Sequence, residues 1–125
     1  MNEQVMQALH GKEVVIDITT TGRRSGNFTR TEIWFHQIGD QTIITGTPGP
    51  RNWLANLKAN PKFTFHLKGD VKADLPASAR IITDPDERRA IMSAPETAWY
   101  RTQVESIDEL VERSPMIEVI FKDDQ

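Results

Sequence analysis

Apolar side chains recur along the chain in two rhythms, every second residue and every third or fourth, and these rhythms lay out the elements. Val14, Ile16 and Ile18 are interleaved with Val15 and Asp17, which predicts a strand running to about Thr20. Thr29 to Ile38, rich in Thr, Ile, Trp and Phe, predicts a second. Gly39-Asp40-Gln41 connects it tightly to Thr42 to Thr45, so the second and third strands are expected to form a hairpin. Phe63, Phe65 and Leu67 face away from Lys62, Thr64, His66 and Lys68 in strict alternation. Lys68-Gly69-Asp70 turns that strand into Val71, Ala73 and Leu75, Pro76 marks an edge or a bulge, and Ala79 to Thr83 resumes. Met116 to Phe121 closes the series with Ile117, Val119 and Phe121 inward.

The longer rhythm gives helices. Asn2 to Leu9 carries Val5, Met6 and Leu9 on one edge and is ended by Gly11. Arg51 to Ala59 places Trp53, Leu54 and Leu57 on one face, and Asn60-Pro61 stops it. Asp84-Pro85-Asp86-Glu87 is a helix start with an acceptor at the N-cap, proline in the first turn and carboxylates at the positive end; that helix runs to about Ser93. Pro95 interrupts, and Glu96 to Arg113 holds one or two further pieces. Lys122 to Gln125, with Asp123 and Asp124, reads as a solvated tail.

Strands in hairpins, one central helix, a late helical insertion and a closing strand do not make a doubly wound sheet. The order favours an α+β fold, a small and mainly antiparallel barrel with helices on its outside. The 125 residues make one domain, able to bury roughly two thirds of its unfolded surface. There is no cysteine, hence no disulfide frame and no thiolate. A formal net charge of −3 disfavours general nucleic-acid binding. No stretch approaches the ~20 apolar residues of a membrane span, and the first residues lack the form of a signal peptide, so a cytoplasmic protein is expected.

Two glycine-bearing basic loops carry the candidate chemistry. Arg23, Arg24 and Ser25 lie between Gly22 and Gly26, and Arg30 follows in the next strand; guanidinium forks, a hydroxyl and Gly-rich backbone N–H groups suit phosphate. Gly46 to Arg51 leaves a strand and enters a helix, a junction whose unpaired N–H groups favour an anionic or carbonyl-bearing ligand. The plainer readings are a solvated Arg-Arg turn and an ordinary connection with a buried tryptophan. His10, His36 and His66 lack metal-ligand spacing, and Ser25 is not in a nucleophile elbow. Trp34, Trp53 and Trp99 suit either the core or the wall of a flat cofactor.

Thr19-Thr20-Thr21-Gly22-Arg23-Arg24-Ser25-Gly26, then Arg30 and Ile33-Trp34-Phe35, then Trp53-Leu54-Ala55-Asn56-Leu57-Lys58-Ala59-Asn60-Pro61 with a Phe-Thr-Phe strand, resemble the deazaflavin-dependent nitroreductase family from about Val15 to Phe121. The resemblance implies a split β-barrel related to FMN-binding proteins, holding coenzyme F420 and passing its hydride to a quinone, nitro compound or other conjugated acceptor. It implies that Arg23, Arg24 and Ser25, with Gly26 and Arg30, hold the phosphate end of the coenzyme. The loop from Thr47 through Lys58, with Gly49, Arg51, Asn52, Trp53 and Asn56, would then line the deazaflavin. The chain departs from many members at Glu32, where they have proline. Tyr100 is its only tyrosine, where well-characterised members cluster several. FMN is the alternative cofactor, and a non-catalytic barrel binding a flavin, haem or fatty acid the alternative class. A homodimer is compatible with either.

Overall fold

The computed structural model describes residues 1–122, so the expected tail at Asp123 and Asp124 lies outside the described residues. In chain order the elements are α1 (Glu3–Leu9), β1 (Val15–Thr21), β2 (Phe28–Trp34), β3 (His36–Ile38), β4 (Gln41–Thr45), α2 (Asn52–Ala59), β5 (Lys62–Lys68), β6 (Lys72–Ile81), α3 (Pro85–Ser93), a 3-10 turn (Pro95–Thr97), α4 (Ala98–Arg101), α5 (Ile107–Arg113) and β7 (Met116–Phe121). The described strands form one antiparallel sheet in the order β2-β1-β5-β6-β7-β4-β3.

The expected long strand from Thr29 to Ile38 is in fact two, broken at Phe35. Its first half pairs with β1, from Val15 opposite Trp34 to Thr21 opposite Phe28, and only His36–Ile38 forms the expected hairpin with β4. This break closes the barrel. β2 and β3 occupy opposite edges of a seven-stranded sheet, which lying flat would separate them by roughly 29 Å at about 4.8 Å per strand. Yet Phe35 alone stands between Trp34 and His36, so the sheet must curl until its edges meet. Phe35 is buried, its N–H bonded to the Val14 carbonyl at 2.9 Å, with its ring edge-on to Phe65.

Inside the curl lie Ile16, Ile18, Phe35, Ile44, Leu57, Phe63, Phe65, Ile117 and Val119, with Phe121 half-buried against them. A second core, Ile43, Ile82, Ile91, Met92, Tyr100, Leu110 and Met116, fills the space between the outer side of β3-β4-β7 and the cap of α3 to α5. Successive residues of β4, Ile43 and Ile44, thus serve different cores, as alternation along a strand requires.

Pro76 makes neither an edge strand nor a bulge: β6 runs unbroken between β5 and β7. Its carbonyl accepts from the Lys122 N–H at 3.0 Å. A residue's N–H and C=O point to the same side of a strand, so the missing donor falls on the last rung of the β6–β7 ladder. The capping logic at α3 holds, with Asp84 accepting from the Glu87 N–H at 2.9 Å. His66 keeps the outward side predicted by alternation but is buried there, bonded to Thr19 through Nε2 and to Asp74 through Nδ1, both at 2.7 Å.

Candidate functional site

β1 and β2 run antiparallel and are joined by residues 22–27, a loop pinned at both ends by its own backbone. The Gly22 N–H donates to the Asn27 carbonyl at 2.7 Å, and the Gly26 N–H donates to the Gly22 carbonyl at 2.9 Å. Gly26 has φ of 73°, a conformation open to glycine at little cost. Gly22 has no room for a side chain, since a Cβ there would lie 2.6 Å from Ser25 Oγ and 3.2 Å from the Asn27 carbonyl. Ser25 Oγ accepts from the Asn27 N–H at 3.0 Å, which leaves its own O–H free to donate.

The loop is then clamped to α2. Asn56 Oδ1 accepts from the backbone N–H of Arg23 at 3.2 Å and from its Nη1 at 3.0 Å, while Nδ2 donates to Thr20 Oγ1 at 3.2 Å. Asn56 is buried, whereas Arg23, Arg24 and Ser25 are exposed. Among the described residues no ion pair involves Arg23 or Arg24. An open pocket of about 310 Å3 lies between them, lined by Gly22, Arg23, Arg24, Ser25, Thr29, Asn52 and Asn56. The N-cap of α2, Arg51, makes no side-chain capping bond, so the first-turn N–H groups beside Asn52 keep their donor capacity.

The 22–27 loop therefore lies against α2 at Asn52 and Asn56, on the helix that the second basic loop enters, while Gly49 and Pro50 of that second loop line a different cavity, and not every residue singled out in the sequence converges on the arginine loop. Arg30 faces the outside of β2 and binds Asp17 at 2.8 Å; Asp17 also holds Lys68, which reaches Glu32 as well. These cations hold the Asp17 carboxyl below the usual carboxylate range, Lys68 contributing most. Arg51 is turned back on its own loop, donating to the carbonyls of Thr47, Gly49 and Pro50 and to Thr47 Oγ1. It thereby shapes the loop instead of offering free donors.

Trp53 is 7% exposed and packs in the barrel core, where it seats α2. Asn52 and Asn56 look toward the arginine loop. Two positions on, about 200° round the helix, Leu54 and Lys58 line a different cavity of about 450 Å3 together with Gly49 and Ser114. Trp34 and Trp99 form a half-exposed pair, ring centroids 5.7 Å apart.

One arrangement escaped the sequence reading. His36 and Tyr100 are buried against each other, Nε2 and the phenol oxygen 2.8 Å apart. Burial pushes the Tyr100 phenol up to about 12 and lowers the His36 imidazole. No local sequence signal joins them, since sixty-four residues separate the two. Among the described residues no cluster of three or more His, Cys, Asp or Glu side chains could hold a metal, and no helix is long and apolar enough to cross a membrane.

Several solved structures share the fold at low identity. A conserved hypothetical protein from Mycobacterium tuberculosis aligns over 98% of this chain and 82% of its own with a TM-score of 0.73 and 15% identity. A candidate pyridoxamine 5'-phosphate oxidase from Listeria innocua aligns over 97% and 93%, with a TM-score of 0.70 and 12% identity. An F420 reductase aligns over 94% and 93%, with a TM-score of 0.66 and 17% identity. These likenesses establish the split-barrel architecture. The family model of the F420H2-dependent quinone reductases matches residues 1–112. With that match running from α1 through β6, the arginine loop and α2 included, and over nearly all of the cap, this chain belongs to the F420H2-dependent quinone reductase family.

Proposed function

We propose that the protein grips the phosphate of F420 with the 22–26 loop and the start of α2, and there transfers a hydride from the reduced coenzyme to a quinone-type acceptor. The observation that carries the site is the double hydrogen bond from Arg23 to Asn56. It fixes a cationic loop against α2, one turn along from Asn52, and leaves the Arg24 guanidinium, the Ser25 hydroxyl and the remaining Arg23 donors free for an anion. The donor set fits a phosphodiester, and the side-chain space that Gly22 lacks is what lets Ser25 fold in beside it.

F420H2 supplies the hydride when bound. What the chain contributes is binding and orientation. Asn56 and Thr20 hold the loop, Arg51 fixes the Thr47 to Pro50 turn on the far side of Asn52, and the half-exposed Trp34 and Trp99 offer flat apolar surface near the seam of the barrel. Hydride transfer depends on alignment and on exclusion of water more than on a charged acid or base.

A homodimer belongs to the same proposal, because Phe28 is 80% exposed and Val15 and Trp34 also reach the surface of the β1–β2 pair; light scattering of the purified chain tests it. For the coenzyme, fluorescence titration with F420 and with FMN is decisive. Saturable F420 binding that weakens on Arg23→Ala with Arg24→Ala, together with turnover on a quinone, supports the assignment; binding of FMN alone overturns it.

A further inference from the structure

A row of aromatic rings crosses the seam where β2 gives way to β3. Trp34, at the end of β2, and Trp99, on α4, have ring centroids 5.7 Å apart; Trp99 and Tyr100 are 5.4 Å apart, and so are Tyr100 and His36 at the start of β3. Each pair is tilted or edge-on, as aromatic quadrupoles prefer. Exposure falls along the row, since Trp34 and Trp99 are half-exposed while Tyr100 and His36 are buried. The row is therefore open to solvent at its indole end and sealed at its phenol end.

Apolar packing accounts for rings in contact, but not for what stands at the sealed end. The Tyr100 hydroxyl lies 2.8 Å from His36 Nε2 and has no other hydrogen-bond partner among the described residues. Burial keeps the phenol protonated and the imidazole neutral, so the phenol hydrogen is donated to Nε2. A base in that position changes what the phenol can do. Oxidised by itself, a buried phenol would become a charged radical cation in a site that solvates charge poorly. With a base already bonded to it, the phenol sheds its proton along the hydrogen bond as the electron leaves, and a neutral radical remains. The Glu96 carboxylate favours the imidazolium that results. Among the described residues, Tyr100 is the oxidisable ring of the row that is bonded to such a base.

We propose that Trp34, Trp99 and Tyr100 form a one-electron relay, which carries an oxidising equivalent from the surface to Tyr100 while His36 takes the phenol proton. A one-electron oxidant in solution, such as an organic peroxyl radical, takes one electron from the exposed indole pair and becomes its anion. Tyr100 returns an electron to the indole across the Trp99 contact, its O–H bond breaks, and the proton passes to Nε2. The products are an intact indole, a neutral tyrosyl radical sheltered from solvent, an imidazolium at His36 and the reduced oxidant. Two exposed indoles are thereby spared irreversible oxygen addition. The relay needs neither coenzyme nor acceptor, so its failure and failure of the coenzyme site are separate results.

The test oxidises the full chain with tris(bipyridine)ruthenium(III) generated by a laser flash and follows the radicals by transient absorption and, after freezing, by electron paramagnetic resonance. Trp53 is buried in the barrel core, so the oxidant meets the other two indoles. Tyr100 is the only tyrosine, and ring-deuterated tyrosine therefore identifies its radical. Expected is a tryptophanyl signal that decays as the tyrosyl signal rises. Trp99→Phe should abolish that coupled rise. His36→Phe should leave the radical on tryptophan and, under a steady flux of peroxyl radicals, increase oxygen addition at Trp34 and Trp99 several-fold, read by peptide mass spectrometry. A tryptophanyl radical in the unaltered chain that decays with no tyrosyl signal overturns the relay without recourse to any variant. So does a tyrosyl radical that forms equally fast in Trp99→Phe or in His36→Phe.

Discussion

Asn56 binds Arg23 twice through one oxygen, taking the backbone N–H at 3.2 Å and Nη1 at 3.0 Å, and is itself tied to Thr20 on the neighbouring strand. A single buried amide thus sets the distance between a helix and the arginine loop. Asn56→Leu keeps the volume and removes every one of those bonds. It should destabilise the chain by about 1–3 kcal/mol, the cost of leaving buried polar partners unmatched, read by urea unfolding. F420 affinity should fall further than that loss of stability alone can explain, because the loop is no longer held.

Arg23 and Arg24 are adjacent in sequence but differ in their burden. Arg24 is exposed and makes no ion pair among the described residues, so Arg24→Ala should leave stability within about 0.5 kcal/mol of the parent. The same change should weaken F420 binding by roughly tenfold, the value of one charge-assisted hydrogen bond. Arg23→Ala should lower both, since its guanidinium also closes on Asn56. Equal effects of the two on stability would contradict the clamp.

These differences mark where the sequence was legible. The alternation in β1, β5 and β7 and the Asp84 cap are local properties, and each emerged where predicted. The break at Phe35 did not, because Trp34, Phe35 and His36 are all good strand residues and only barrel closure decides which sheet edge each half joins. For the site, glycine and arginine spacing marked the loop. Alternation along β2 puts Arg30 on the Asp17 side, but the cross-strand partner that holds it there is a long-range fact. The pairing of His36 with Tyr100, sixty-four residues apart, left no trace in local pattern.

Two groups give the stability opposite ends of one acid limb. Burial lowers the His36 pKa from 6.5, so as pH falls through 6.5 the unfolded chain takes up a proton that the folded chain refuses. The stability tied to a neutral His36 is complete above 6.5 and declines below it. Asp17, whose pKa is lowered from 3.8 by Lys68 and then Arg30, contributes stability that is present above 3.8 and is lost as pH falls through its lower folded value. Thermal melts should therefore show a first decline beginning near pH 6.5. His36→Gln should flatten that step and leave the later acid step unchanged, while Asp17→Asn should do the reverse.

Tyr100 is the only tyrosine in the chain, so tyrosinate absorbance reports on it alone. Burial raises its pKa from 10.0 to about 12, because the phenolate would lose its hydration beneath α3 to α5 while the Arg51 charge offsets only part of that cost. In the unfolded chain the phenol ionises near 10.0, so between that value and about 12 the unfolded state sheds a proton that the folded state retains. Stability must accordingly fall as pH rises through that window. Spectrophotometric titration of the folded chain should give a midpoint near 12, or a late step coincident with unfolding, and a midpoint near 10 in denaturant. His36→Phe removes the acceptor of the Tyr100 hydroxyl without exposing it, so the native midpoint should stay high. A native midpoint near 10 in the unaltered protein would mean that the phenol is open to water and not buried beneath the cap.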